Sequence, residues 1–330
     1  MNVHYRQLGK TGFKISEVSL GTWQVGGKWG DDFDQENAEK TINTAIDEGI
    51  NFIDTADVYS AGLSETAVAK VVKSRSEEVY IATKCGRQIS PHVNEGYTPE
   101  VLRKYVEDSL KNMGLETLDL IQLHCPPTEV YYRPEIFELF ERLREEGKIK
   151  NLGVSVEKIE EAIKAIEYPN VNTVQIIFNM FRLRPAQLFF KLAEQKNVGI
   201  IVRVPLASGL LSGKFGKDTS FSKEDHRAFN RHGEKFDKGE TFSGIDYENG
   251  LYAVDEIRTI LPENYEMAQW AIRWVLMFEE VSTVIPGASR HEQISTNVKA
   301  SALPPFSINQ MEAIEDIYAR YFKKDVHHRW

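Results

Sequence analysis

Short runs of apolar and β-branched residues alternate along this chain with longer stretches whose apolar positions recur every three to four residues. The first pattern suits strands and the second amphipathic helices. Residues 5–8 and 13–16 flank Gly9-Lys10-Thr11-Gly12 and predict a small hairpin. Residues 18–21 predict the next strand. A helix follows, with Asp34 as N-cap, Ala38, Ile42, Ala45 and Ile46 on one face, and a stop at Gly49. Further strands are predicted at 51–54, 79–84, 118–124, 151–154, 174–177, 198–203 and 281–285. Between and after them the helical spacing predicts helices at 65–73, from Thr98-Pro99-Glu100 to Gly114, and at 135–146, 157–166, 185–195, 251–260, 266–278, 290–297 and 309–321.

Counted from residue 18, these are eight strands, each followed by helix. Strict alternation implies a parallel sheet, and eight such units close more readily into a barrel than they spread into an open sheet. The expected fold is therefore α/β: a (β/α)8 TIM barrel with an N-terminal β-hairpin and extra C-terminal helices. No Pro/Gly/Ser-rich linker interrupts the series, so residues 1–330 are expected to form a single domain. The stretch 206–244 far exceeds an ordinary connection and is expected to be a functional loop or lid.

Composition narrows the classes further. With 42% hydrophobic and 27% charged residues, the chain is that of a globular protein rather than a disordered or coiled-coil one. Its net charge of −9, without a long basic block, argues against a nucleic-acid partner. No apolar run reaches the ~18 residues of a membrane span. The polar N-terminus shows no secretory h-region, and two cysteines make no disulfide framework. A cytoplasmic protein is expected, with no structural metal.

Two nucleotide motifs fail. Gly26-Gly27-Lys28-Trp29-Gly30 lacks the leading glycine of a dinucleotide fingerprint, where Val25 stands, and is not placed between strand and helix. Residues 209–214 resemble a phosphate loop but are one spacer short and run into Phe215. The strand ends are more informative, because a barrel of this kind places its chemistry there. Asp54, Lys84 and His124 end the second, third and fourth strands, and Tyr59 follows the second. Taken singly, each has a bland reading as cap, solvated cation or structural imidazole; their placement on successive strands makes a constellation. A tyrosine hydroxyl has a pKa near ~10, and a nearby ammonium lowers it. That ammonium, if buried, needs a carboxylate. A histidine can orient and polarise a carbonyl. These four roles suit proton transfer to a carbonyl oxygen while hydride arrives at carbon, so a nicotinamide cofactor is expected.

A phosphate end is expected after the last two strands. Ile285-Pro286-Gly287-Ala288-Ser289-Arg290 precedes a helix, and Pro205 to Lys214 offers small residues and a cation.

Over essentially the whole chain these pieces resemble the aldo-keto reductase family. The most specific are residues 52–59 (Phe-Ile-Asp-Thr-Ala-Asp-Val-Tyr), 81–84 (Ile-Ala-Thr-Lys), 118–124 (Leu-Asp-Leu-Ile-Gln-Leu-His), Gly153-Val154-Ser155, 205–214 and 285–290. The last two look closest to the branch of bacterial general reductases and potassium-channel β subunits. The resemblance implies NADP(H) as cofactor, bound in an extended pose without metal, and a small aldehyde or ketone as substrate. It assigns general acid/base to Tyr59, assisted by Lys84, Asp54 and His124. It further implies cofactor contacts by Thr22 and Trp23, by Ser155 and Gln175 at the carboxamide, and by Pro205, Leu206, Ala207, Gly209 and Lys214 along the phosphates. Gly287, Ser289, Arg290, Gln293 and Asn297 fall at the adenosine-phosphate end, and Arg227 matches a clamping arginine of the long loop. A regulatory subunit that binds NADP(H) and senses redox state is the alternative, and isomerase or lyase chemistry at the same mouth a third reading.

Three positions depart from the family pattern. Val156 stands where a polar residue is usual, and Arg203 where an aromatic ring stacks on the nicotinamide. Thr296 stands where the channel branch has a Glu, and the lack of an acid there, beside Arg290, fits a 2′-phosphate. Cys85 and Cys125 follow Lys84 and His124 directly; alternation predicts that they point away from the mouth as buried thiols, with a disulfide switch as the rarer outcome. His327 and His328 read as a solvated tail rather than a metal site. Trp23, Trp29, Phe178, Tyr131 and Tyr132 are candidate pocket walls or core.

Overall fold

The computed structural model describes residues 3–27 and 32–330, so Lys28, Trp29 and Gly30 lie outside the described residues. Strands β1 (Tyr5–Gln7) and β2 (Lys14–Ser16) form an antiparallel hairpin. Eight parallel strands follow: β3 (Leu20–Gly21), β4 (Phe52–Asp54), β5 (Tyr80–Cys85), β6 (Leu118–His124), β7 (Ile149–Ser155), β8 (Val171–Ile177), β9 (Gly199–Arg203) and β10 (Val281–Val284), each paired with the next in chain order. The two ends of this sheet also meet. Val18 bridges Val284, Gly21 bridges Gly287, and the Ser19 N–H donates to the Val284 carbonyl at 2.9 Å. The sheet is closed into a (β/α)8 barrel.

The helices are α1 (Gln35–Asp47), α2 (Leu63–Ser74), α3 (Pro99–Met113), α4 (Pro134–Glu145), α5 (Ile159–Ala165), α6 (Arg184–Leu188), α7 (Phe190–Gln195), α8 (His226–Phe229), α9 (Tyr247–Ile260), α10 (Met267–Leu276), α11 (Glu292–Val298), α12 (Ile308–Tyr321) and α13 (Lys323–Val326). Local chemistry sets several ends. Asp34 and Thr98 cap α1 and α3 through their side chains, and Gly114 ends α3 in the left-handed conformation at φ 59°. The single helix expected over 185–195 is two, α6 and α7, broken at Phe189. Phe189 and Phe190 are both buried, and consecutive residues of one helix lie about 100° apart, so the chain turns to bury both rings.

Alternation along the strands sorts the barrel interior into layers. Phe52, Ala82, Leu120 and Ile201 form the lower one, sealed by Leu8, Phe13 and Ile15 from the hairpin region and by Ile285. Burying each of the larger side chains stabilises by roughly 1.5–3 kcal/mol. Two residues further along each strand stand Asp54, Lys84, Gln122 and Arg203, joined by Gln175 of β8. The bottom is thus hydrocarbon and the top is charged. A Cβ on Gly153 would lie 2.1 Å from Thr173 Oγ1 and 3.1 Å from Gln122 Cγ, so this crowded polar layer requires glycine there.

Among the described residues no helix is long and apolar enough to cross a membrane. The 206–244 stretch is ordered by short turns, including α8, and by Asn230, whose fully buried amide oxygen accepts from the Lys235 and Phe236 N–H groups.

Candidate active site

Lys84 Nζ is the hub of the upper layer. It lies 2.5 Å from Asp54 Oδ1, 2.7 Å from the Thr55 carbonyl and 3.2 Å from Tyr59 Oη. Asp54 Oδ2 accepts from Gln122 Nε2 at 3.0 Å and Gln175 Nε2 at 2.7 Å. Both members of the ion pair are at most 2% exposed, so each depends on this network for the solvation it has lost. Burial alone would lower the ammonium pKa, but Asp54 and Tyr59 outweigh it and the net shift is upward; Lys84 stays cationic.

Tyr59 follows β4 on a turn in which Ser60 and Ala61 take positive φ. Its ring packs against Trp23 at 6.4 Å and meets His124 edge-on at 6.1 Å. The expected lowering of its pKa is not the net result. Burial raises the phenol above its usual value; Lys84 pulls it down, and Asp54 pushes it up again. Tyr59 therefore holds its proton at neutral pH, as a donor should. His124 is driven well below the usual imidazole range, first by burial and then by the charges of Lys84, Arg87 and Arg203. It is a neutral imidazole, and its Nδ1 is buried without a partner.

These groups open onto a cavity of about 900 Å³. Of the residues expected to touch a cofactor, Thr22, Trp23, Asp54, Gln175, Arg203, Pro205, Leu206, Gly209, Lys214, Arg227, Gly287, Arg290, Gln293 and Asn297 line its wall. The loop entering it from β9 is contorted: Val204, Ala207 and Ser208 all have positive φ. A β-branched residue such as Val204 adopts that region only under constraint, and Asn179 Nδ2 supplies it by holding the Val204 carbonyl at 2.9 Å.

Ser155, Ala207 and Ser289 are not on the wall. The Ser155 hydroxyl is turned to Cys125 Sγ at 3.6 Å, and Ala207 is fully buried in the core. The Ser289 N–H and hydroxyl and the Arg290 N–H all point to Gln293 Oε1, at 2.8, 3.3 and 3.1 Å. Lys214 pairs with Glu266 at 3.3 Å; both are exposed, so the pair is weak and open to exchange for a phosphate. Arg227 is steadied by Asp225 and lies over the Phe221 ring at 4.6 Å. The expectation of no acid at this end is overturned, because Glu292 and Glu266 line the same cavity. Glu292 lies 3.3 Å from His291 and Glu266 3.3 Å from Lys214, whereas Arg290 has no carboxylate partner among the described residues.

Arg203 points inward as its strand parity requires, but its guanidinium is committed. Nη1 lies 3.4 Å from Glu240, and Nη2 donates to the Val156 carbonyl at 3.1 Å and to Cys125 Sγ at 3.5 Å. Cys125 therefore faces Arg203 rather than the outer layer. Its φ of 48° breaks the alternation one residue past the end of β6. Both cysteines are free and buried. Tyr131 and Phe178 are core, Tyr132 is exposed on the outside, and of the candidate aromatics among the described residues only Trp23 lines the cavity; Trp29 lies outside the described residues. His327 is tied to Tyr318 at 2.9 Å. Sequence reasoning missed Gln122, although it lies two residues before His124 on the same face. It also missed Arg87 and Glu240, which arrive from separate loops.

A closed barrel with a tyrosine, a locked ammonium–carboxylate pair and a neutral histidine at one mouth defines an oxidoreductase type of site, and sequence comparison agrees. The Aldo/keto reductase family profile matches residues 17–319, and the chain belongs to that family. A potassium-channel β-subunit homologue from Schizosaccharomyces pombe is 32% identical over 312 residues, covering 91% of this chain and 88% of that one. The NADH-specific methylglyoxal reductase of Escherichia coli is 26% identical over 315 residues, covering 89% and 92%. Among solved structures, glycerol dehydrogenase AKR11B4 from Gluconobacter oxydans superposes with a TM-score of 0.78 at 32% identity, covering 97% of each chain.

Proposed function

We propose that this protein reduces small aldehydes or ketones to alcohols, using NADP(H), with Tyr59 as the general acid/base and Lys84, Asp54 and His124 as its partners. The observation that carries the reading is the 3.2 Å contact from Lys84 Nζ to Tyr59 Oη, made by an ammonium already locked on Asp54 at 2.5 Å. When bound, the reduced nicotinamide supplies hydride to the carbonyl carbon. The chain does the rest. Tyr59 gives its proton to the carbonyl oxygen, and Lys84 stabilises the phenolate left behind. Neutral His124 has an N–H to orient and polarise that oxygen without competing as an acid. The wall from Pro205 to Lys214, with Arg227 and Arg290, supplies backbone N–H groups and cations for the phosphates. The Arg290 guanidinium, without a carboxylate partner among the described residues, favours a dinucleotide carrying a 2′-phosphate, in contrast to the relative named for NADH. We also read 1–330 as one cooperative domain acting in the cytoplasm.

The test is a fluorescence titration with NADPH and NADH, followed by turnover of simple aldehydes by wild type and Tyr59→Phe. The expected outcome is tighter binding of NADPH and a loss of turnover of roughly 10²–10⁴-fold in Tyr59→Phe with binding retained. Binding with turnover in neither protein would leave a dinucleotide-sensing regulatory subunit. Binding of neither dinucleotide would sink the reading altogether.

A further inference from the structure

The substrate end of the cavity carries a group that proton transfer does not use. β5 ends at Cys85, and Gly86, at φ 101°, turns the chain so that Arg87 joins the cavity wall with Tyr59 and His124. A side chain on Gly86 would collide with the Tyr97 ring at 2.8 Å, so the turn is specific to glycine. Arg87 is 22% exposed and only loosely held. Its Nη1 makes two long contacts of 3.4 Å, to the Cys125 carbonyl and to Glu157 Oε1. Its Nε and Nη2 have no protein partner among the described residues and are not buried, so they remain free to donate.

The neighbours leave this cation under-neutralised. Glu240 is taken by Arg203 at 3.4 Å. Glu157, the one acid in ion-pair contact with Arg87 among the described residues, has its carboxyl pushed up to about 7, mainly by burial and then by the charges of Glu240 and Asp237, so near neutrality it carries only part of a negative charge. Behind them Arg182 adds a third guanidinium, itself buried, with Nε and Nη1 unpartnered among the described residues. Asp237 acts chiefly on Arg182 and Glu240 is engaged by Arg203, so the partly charged Glu157 is what is left to Arg87.

We infer that Arg87 is a specificity-determining residue that receives a carboxylate on the substrate, so that the preferred substrates are oxo acids: aldehydes or ketones bearing an acid group at the end remote from the reacting carbonyl. The inference rests on the reductase reading and adds the substrate class to it. A bidentate guanidinium–carboxylate contact out of bulk water is strong and directional, whereas a neutral isostere at the same place leaves the arginine unpaired.

The experiment compares kcat/KM for 4-oxobutanoate and its methyl ester in wild type, Arg87→Met and Arg87→Lys. Wild type should favour the acid by roughly 10- to 100-fold. The ratio should fall towards one in Arg87→Met, chiefly through KM, and be partly restored in Arg87→Lys. A wild-type ratio near one, or a ratio unchanged in Arg87→Met, overturns the inference and leaves the reductase reading intact. Should neither compound turn over, calorimetric titration of butanoate into the dinucleotide-saturated protein decides. Saturable binding lost in Arg87→Met supports the carboxylate site, and its absence in wild type refutes it.

Discussion

Asp57 offers the sharpest quantitative test of how this site is built. It lies three residues past Asp54 and is 3% exposed, and neither of its buried carboxyl oxygens makes a well-formed hydrogen bond among the described residues. Burial, with the charge of Glu65 behind it, raises its pKa from 3.8 to about 7. The Val58 N–H, Gln88 and Lys84 pull the other way without reaching balance. Because the folded-state value is raised, the folded protein holds a proton that the unfolded chain releases. The stability this contributes is fully present below about pH 4 and is lost as pH rises to about 7, after which the cost is constant. At about 1.4 kcal/mol per unit, the full cost is on the order of 4 kcal/mol, of which about 3 kcal/mol accrues between pH 5 and pH 8. Asp57→Asn removes the titration, whatever fixed offset its amide introduces. Urea unfolding followed by tryptophan fluorescence at pH 5, 6.5 and 8 should show the variant gaining about 3 kcal/mol on wild type across that range. Glu65→Gln should reduce the same slope. A stability difference that does not vary with pH, or one that shrinks as pH rises, would refute the reasoning.

Other consequences are simpler to state. Lys84→Met leaves Asp54 as an unpaired buried carboxylate and should cost about 3–5 kcal/mol in urea unfolding, and Asp54→Asn in the same chain should recover part of it. Gly153→Ala forces a methyl against Thr173 in the polar layer and should cost about 1–3 kcal/mol by the same assay. Asn179→Ala releases the Val204 carbonyl and strands the Phe181 N–H, so dinucleotide affinity should fall in a fluorescence titration and urea unfolding should show a loss of about 1–3 kcal/mol.

Most of the barrel was legible because each strand and helix carries its own period. Its edges were less so. Residue 18 was expected inside a strand, but β3 holds only Leu20 and Gly21, since Val18 makes an isolated bridge across the seam. The four groups at the mouth could be placed by strand order alone, and the same parity rule would have supplied Gln122. The rule failed at Cys125, where one left-handed residue turned a thiol expected outside towards Arg203. Glu157 and Glu240 were beyond reach for a different reason. They meet Arg87 and Arg203 only because two long loops fold over the mouth, and no local period encodes that meeting. Glu292, two residues past Arg290, reaches the cavity wall because the helix that begins there turns it inward, which position 296 alone does not reveal.

The hairpin seal at the lower end has one more implication. A tube stoppered with Leu8, Phe13 and Ile15 is a cul-de-sac, and among the described residues its doorway is at the charged end. If a long dinucleotide lies along that doorway's wall, the small molecule in front of it is the last to arrive and the first to go. The sequence of events then follows from the shape of the vessel, and a competitor for the doorway blocks both traffic directions at once.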